Sequence, residues 1–104
     1  MYNMWCVYLL RCHDNSLYCG VTNNIGKRLI KHSRGTGAKY TRSRLPIKLV
    51  WNSTYIDKST AYKAEYFIKQ HSKKQKEELL LNIGSVLNKT LLKRFGIRSR
   101  QITI

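Results

Sequence analysis

Carboxylates are scarce in this sequence. Asp14, Asp57, Glu65, Glu77 and Glu78 are the five acids of a 104-residue chain that carries 20 Lys plus Arg. That scarcity narrows the chemistry, because a site built from clustered carboxylates has few residues to draw on. Asp14 falls in the turn-like His13-Asp14-Asn15-Ser16, where Asp and Asn favour the turn itself. Asp57 precedes a helical pattern and suits an N-cap. Glu77 and Glu78 lie among lysines and read as solvated. Glu65 alone is placed mid-helix beside apolar residues.

Other absences exclude whole classes. No apolar run approaches the roughly 20 residues of a membrane span, and the N-terminus lacks a signal-peptide pattern. No basic amphipathic stretch carries the apolar face that membrane surfaces need. A protein without a membrane partner is expected, intracellular and cytoplasmic if bacterial. Cysteine is limited to Cys6, Cys12 and Cys19, whose spacing is not that of a zinc finger or ribbon. They are expected to be reduced, buried thiols. Internal repeats, linkers and low-complexity tracts are also missing.

What is present is a hydrophobic share of 42%, enough for one modest folded core. The net charge is +15 with a pI near 10.1. Such a chain seeks polyanions, and a nucleic-acid backbone is the usual one.

Periodicity outlines the elements. Residues 5–11 and 17–22 are apolar β-rich runs joined by the polar turn, a hairpin signal. Asn23 or Asn24 caps a helix over Ile25–Ser33, with Ile25 and Leu29 inward and Arg28 and His32 one turn apart on another face. Gly35 to Ala38 end that helix and open a flexible basic segment, Lys39 to Arg44, with Pro46 closing it. Ile47–Trp51 reads as a third strand. A helix follows from Asp57, Ser59 or Thr60 to about Leu81, with Ala61, Ala64 and Ile68 buried at helical spacing. Ser85 caps a short last helix with Leu87, Leu91 and Phe95 inward and Gly96 as its stop. The fold class is α+β: a small three-stranded antiparallel sheet flanked by helices, in the order β-β-α-β-α-α. Residues 1–83 form the main domain, and residues 84–104 add a short helix and tail to it.

Taken singly, the polar residues have plain roles: half-buried strand tyrosines, a solvated Arg28, a surface His32, a Glu65 paired with Lys69 at i, i+4. Taken together, two phenols, a guanidinium, an imidazole and one carboxylate are the parts needed to cut a phosphodiester with a divalent metal.

The set also resembles a known family, the GIY-YIG endonucleases, in its small, stand-alone, single-domain branch. The first motif stands as Cys6-Val7-Tyr8, keeping the tyrosine without the glycine, and the second as Tyr18-Cys19-Gly20. Arg28 follows the second tyrosine by ten residues, His32 comes one turn later, and Glu65 stands in Ala64-Glu65-Tyr66. Gly35-Thr36-Gly37-Ala38-Lys39-Tyr40-Thr41 is similar to a loop of the same branch, and Val21 replaces a lysine that some members carry. The resemblance spans about residues 5 to 80.

It implies catalytic roles for Tyr8, Tyr18, Arg28, His32 and Glu65, with Glu65 holding one Mg²⁺ or Mn²⁺ ion. One tyrosine activates or orients water, with Tyr8 favoured as base and Tyr18 as its positioning partner. Arg28 grips phosphate oxygens, and His32 relays a proton or holds the phosphate. Nucleic-acid contacts are expected from Gly20, Lys27, Lys31, Arg34, Lys39, Tyr40, Arg42, Arg44, Lys69 and Lys73, with Lys74 and Lys76 beside them. The expected partner is DNA, structured or branched, with a protein partner able to supply specificity. The alternative is a catalytically inactive basic module that binds DNA or RNA on the same scaffold.

Overall fold

The computed structural model describes residues 4–81, 86–96 and 98–101. Strands β1 (Trp5–Arg11) and β2 (Leu17–Thr22) form the expected hairpin, paired from Cys6 opposite Thr22 to Arg11 opposite Leu17. Asp14 shapes its turn by accepting from the Ser16 backbone N–H at 3.1 Å, and Asn15 takes a left-handed φ of 68°. β3 (Lys48–Tyr55) runs antiparallel along the other side of β1. It extends past the anticipated end at Trp51, because Ser53 and Tyr55 continue the alternation inward. A fourth strand, β4 (Arg98–Gln101), joins β3 and gives the sheet order β2-β1-β3-β4.

Five helices accompany the sheet among the described residues. α1 (Ile25–Ser33) is capped by Asn24, whose side chain accepts from the Lys27 N–H at 3.1 Å. Lys39 to Arg42, expected as flexible loop, instead form a short helix, α2, anchored by fully buried Thr41. The anticipated single helix from Asp57 to Leu81 is two: α3 (Lys58–Lys69) and α4 (Lys73–Leu81). A local signal explains the break. Ser72 and Gln75 form a reciprocal capping box, with the Ser72 N–H donating to Gln75 Oε1 at 2.9 Å and the Gln75 N–H to Ser72 Oγ at 3.2 Å. α5 (Val86–Phe95) buries Leu87 and Leu91 and stops at Gly96, where φ is +64°. The expected cap Ser85 and preceding Gly84 lie outside the described residues.

The core sits between the sheet and α3. Val7, Leu9, Cys19, Trp51 and Tyr55 meet Ala61, Ala64 and Ile68, joined by Leu79 and Leu80 from α4. Glu77, expected to be solvated, ties α4 to the sheet instead. Its carboxylate takes both arms of the Arg11 guanidinium, with Nη2 to Oε1 at 2.8 Å, and Lys73 Nζ joins at 2.8 Å. Arg11 ends β1, and its pairing with Glu77 is one that sequence spacing alone does not reveal.

Candidate active site

β1 is buried on both faces, so its alternate residues serve two different environments. Val7 and Leu9 enter the core. Tyr8 and Leu10 face the other way, opposite Gly20 and Tyr18 on β2. Tyr8, Tyr18 and Gly20 therefore share one face, and α1 covers it. α1 reverses the usual helix pattern: its buried residue is His32, while Ile30 is 52% exposed.

Four of the five expected catalytic residues converge there. The Tyr8 hydroxyl lies 2.9 Å from His32 Nε2, and Arg28 Nε donates to the same hydroxyl at 3.4 Å. Arg28 also engages the Tyr18 phenol. The Tyr18 ring packs edge-on to His32 at 5.4 Å between centroids. Tyr40 stacks on Tyr18 at 5.9 Å, and the Arg44 guanidinium covers Tyr40 at 3.9 Å. Tyr8 and His32 are fully buried, whereas Tyr18 is partly exposed.

Burial governs the electrostatics. It pushes the Tyr8 phenol up to about 12, with the Arg28 hydrogen bond pulling it down less strongly. Burial, then the Arg28 charge, lowers the His32 pKa below its ordinary value, so the imidazole is neutral at pH 7. Arg28 is held firmly cationic, chiefly by its bond to Tyr8.

Among the described residues, no hydrogen bond, ion pair or ring contact joins Glu65 to this cluster. α3 approaches the sheet from the core side, where the Glu65 carboxylate assists burial in raising the Cys19 thiol to about 12. Its recorded partner is Lys69 Nζ at 3.4 Å. Among the described residues, no group of three or more His, Cys, Asp or Glu forms a ready-made metal cage. One partly exposed carboxylate, completed by water and phosphate oxygens, still fits a hard divalent ion that keeps most of its hydration.

Gly20 has a packing role that sequence reasoning did not anticipate. A Cβ there would stand 2.3 Å from the Tyr8 hydroxyl, so only hydrogen leaves room for the phenol. Lys27, Lys31 and Arg34 form an exposed stripe along α1, and Lys39 and Arg42 are exposed on α2. Three other proposed contacts have protein partners: Arg44 binds Asp14 at 2.9 Å, Lys69 binds Glu65, and Lys73 binds Glu77. Thr41 and Gly37 belong to the loop motif noted above, but the motif gives neither a role of its own. Thr41 Oγ1 lies 2.9 Å from His32 Nδ1, and a Cβ at Gly37 would stand 2.5 Å from that nitrogen. The signals available were that loop resemblance and a hydroxyl and a glycine inside an otherwise basic segment.

Residues 4–78 match the family described as GIY-YIG catalytic domain. The chain belongs to the GIY-YIG family. The matched domain is of the nuclease kind, and DNA is the substrate class it implies. Among curated relatives, a UPF0213 protein of Bacillus cereus is 50% identical over 78 residues, covering 75% of this chain and 81% of that protein. One from Vibrio cholerae is 46% identical over 83 residues, covering 79% and 82%. The solution NMR structure of a UPF0213 protein from Bacillus halodurans is similar at 41% identity and a TM-score of 0.51, covering 86% of this chain and 96% of that one. Nucleases of the GIY-YIG kind typically use divalent metals. No helix among the described residues is long and apolar enough to cross a membrane.

Proposed function

We propose that this GIY-YIG chain is a divalent-metal-dependent endonuclease acting on DNA, with structured or branched DNA as its substrate. The observation that carries the reading is the hydrogen-bonded contact between the Tyr8 phenol and a neutral imidazole, with a guanidinium on the same oxygen. One partner would satisfy a tyrosine that only filled space, whereas here a base and a cation share one hydroxyl.

The residues divide the work. Tyr8 takes a proton from the attacking water while passing its own to His32, so no free phenolate has to exist at a pKa near 12. The new P–O bond forms as the bond to the leaving oxygen breaks in line. Arg28, fixed against both phenols, turns its remaining N–H groups toward phosphate oxygens. Tyr18, partly exposed, orients water or phosphate at the mouth of the site. Glu65 would hold one Mg²⁺ or Mn²⁺, which would supply charge neutralisation at the scissile phosphate. Lys27, Lys31, Arg34, Lys39 and Arg42 contact the backbone, giving salt-sensitive binding. Nucleic-acid contacts at Tyr40, Arg44, Lys69 and Lys73 require these side chains to exchange their present partners.

One observation favours a second reading. With Tyr8 at 0% exposure, a chain that binds nucleic acid without cutting it would keep the same packing. Cleavage of labelled duplex, single strand, flap and four-way junction separates the two. Each is tested with Mg²⁺, Mn²⁺ or EDTA, with Glu65→Ala alongside. Metal-dependent cutting lost in Glu65→Ala is the expected result. Binding without cutting in every case assigns the chain to the silent module.

A further inference from the structure

The segment after α1 reaches into the site through Thr41 of α2. Thr41 and His32 are both 0% exposed, so water cannot stand in for either at their 2.9 Å contact. Thr41 Oγ1 also lies 3.0 Å from the Ala38 carbonyl. With Tyr8 and Arg28 these groups form one chain of hydrogen bonds, and its two ends determine the position of every proton within it.

At the outer end, the guanidinium of Arg28 can only donate. The Tyr8 oxygen accepts from it, so the Tyr8 proton needs another acceptor, and the recorded partner is His32 Nε2 at 2.9 Å. Nε2 must then carry a lone pair. A neutral imidazole has one N–H, so the proton resides on Nδ1. At the inner end, the Ala38 carbonyl can only accept, and Thr41 spends its single proton there. Thr41 Oγ1 is thus left to accept, and Nδ1–H donates to it. Both ends give the same direction. The reverse arrangement, with Thr41 donating to Nδ1 and Nε2–H donating to Tyr8, strands the buried Tyr8 proton between two donors. A buried donor left without an acceptor is strongly disfavoured.

We propose that Thr41, oriented by the Ala38 carbonyl, is a positioning residue that holds His32 in the Nδ1–H tautomer and so keeps Nε2 open to the proton of Tyr8. Gly37 is part of the same device. The segment from Gly37 to Thr41 wraps the imidazole so closely that any side chain at Gly37 would meet Nδ1. A basic segment that reads as a DNA-contacting strap, with α2 at its end, therefore sets the protonation pattern of the site from behind. The catalytic consequence rests on the nuclease reading given above. The tautomer does not.

The test reads the tautomer directly, from long-range ¹H–¹⁵N NMR spectra of the histidine side chains in full-length protein without metal or DNA. Wild type is expected to show His32 with a protonated Nδ1 and an unprotonated Nε2. Thr41→Ser, which keeps the hydroxyl, should preserve that pattern. Thr41→Val, nearly isosteric but unable to accept, should shift His32 to the Nε2–H form or to exchange between the two. Wild-type His32 protonated on Nε2 overturns the proposal without any variant. So does a Thr41→Val protein whose His32 remains purely Nδ1–H.

In cleavage assays Thr41→Val should lose about 10- to 100-fold in kcat with KM little changed, and Thr41→Ser should recover most of it. A wild type that cuts no DNA overturns the nuclease reading alone, because the tautomer is measured with no substrate present.

Discussion

Tyr8 and Tyr55 lie on neighbouring strands of one sheet and are both buried, at 0% and 2% exposure, yet they face different worlds. Tyr55 points into the apolar core that it shares with Leu9 and Trp51, and its hydroxyl accepts from Ser53 Oγ at 2.9 Å, two residues away on the same strand. Tyr8 points to the opposite face and bonds to His32 and Arg28, which come from a helix 24 and 20 residues further along. Burial raises the pKa of both phenols. What separates them is the partner. A serine hydroxyl cannot hold an extra proton at neutral pH, whereas a neutral imidazole can. A site is made here by what one alternate set of strand residues meets, not by depth alone.

The strongest way to break that comparison is to remove each hydroxyl in turn. Tyr8→Phe should lower single-turnover DNA cleavage by about 10²- to 10⁴-fold, the range of a lost acid–base group. Tyr55→Phe should leave cleavage within a factor of two or so of wild type and cost about 1 kcal/mol of stability, measured by urea unfolding. Equal losses of cleavage in the two variants would mean that the faces do not differ in function.

Gly20 offers a smaller perturbation confined to the Tyr8 face. Its absent side chain is what admits the phenol, since a Cβ would meet the Tyr8 hydroxyl at 2.3 Å. Gly20→Ala forces the ring or strand to move and should destabilise the fold by about 1–3 kcal/mol, as overpacking does. Cleavage should fall together with stability, because the displaced oxygen leaves His32. Gly26→Ala is the control: a Cβ there meets nothing nearer than the Asn24 side chain at 3.7 Å.

The same contrast explains what could be read in the sequence. The core face follows simple periodicity, and Ala61, Ala64 and Ile68 were legible because apolar residues at helical spacing have few other uses. The hairpin was legible for the same reason, from two β-rich runs around a polar turn. Tyr8, Tyr18, Arg28 and His32 could be grouped as candidates, but only through motif order. Nothing local says that a histidine will be the deepest residue of α1. Thr41 stayed hidden because its role depends on a carbonyl and an imidazole brought together by the chain's path. Arg11 and Glu77 meet across 66 residues, a pairing that no local spacing encodes. The break between α3 and α4 was present in the sequence as Ser72 and Gln75, but the lysines around it resembled a continuous solvated helix.

Acid should distinguish the two faces by pH alone. The folded state holds His32 neutral, because burial and then the Arg28 charge depress its pKa below the ordinary 6.5. The groups facing it are Tyr8, Tyr18 and Arg28, together with the Thr41 hydroxyl. The unfolded chain binds a proton at this histidine near pH 6.5, and the folded chain does so only at lower pH. Stability from this group is therefore full above about pH 6.5 and declines as pH falls from there toward the folded value. Glu77 acts in a separate, more acidic window. Arg11 hydrogen bonds, with Lys73 assisting, hold its pKa at about 2, so its contribution is present above the usual 4.5 and is lost as pH falls toward 2. On the core face, the Cys19 thiol at about 12 titrates in neither window. Urea midpoints measured from pH 8 down to pH 5 should fall in wild type and fall less in His32→Gln, in which the titrating ring is gone. Parallel curves for the two proteins would mean that His32 charges freely in the folded state, and the polar face would then be no more sensitive to acid than the core behind it.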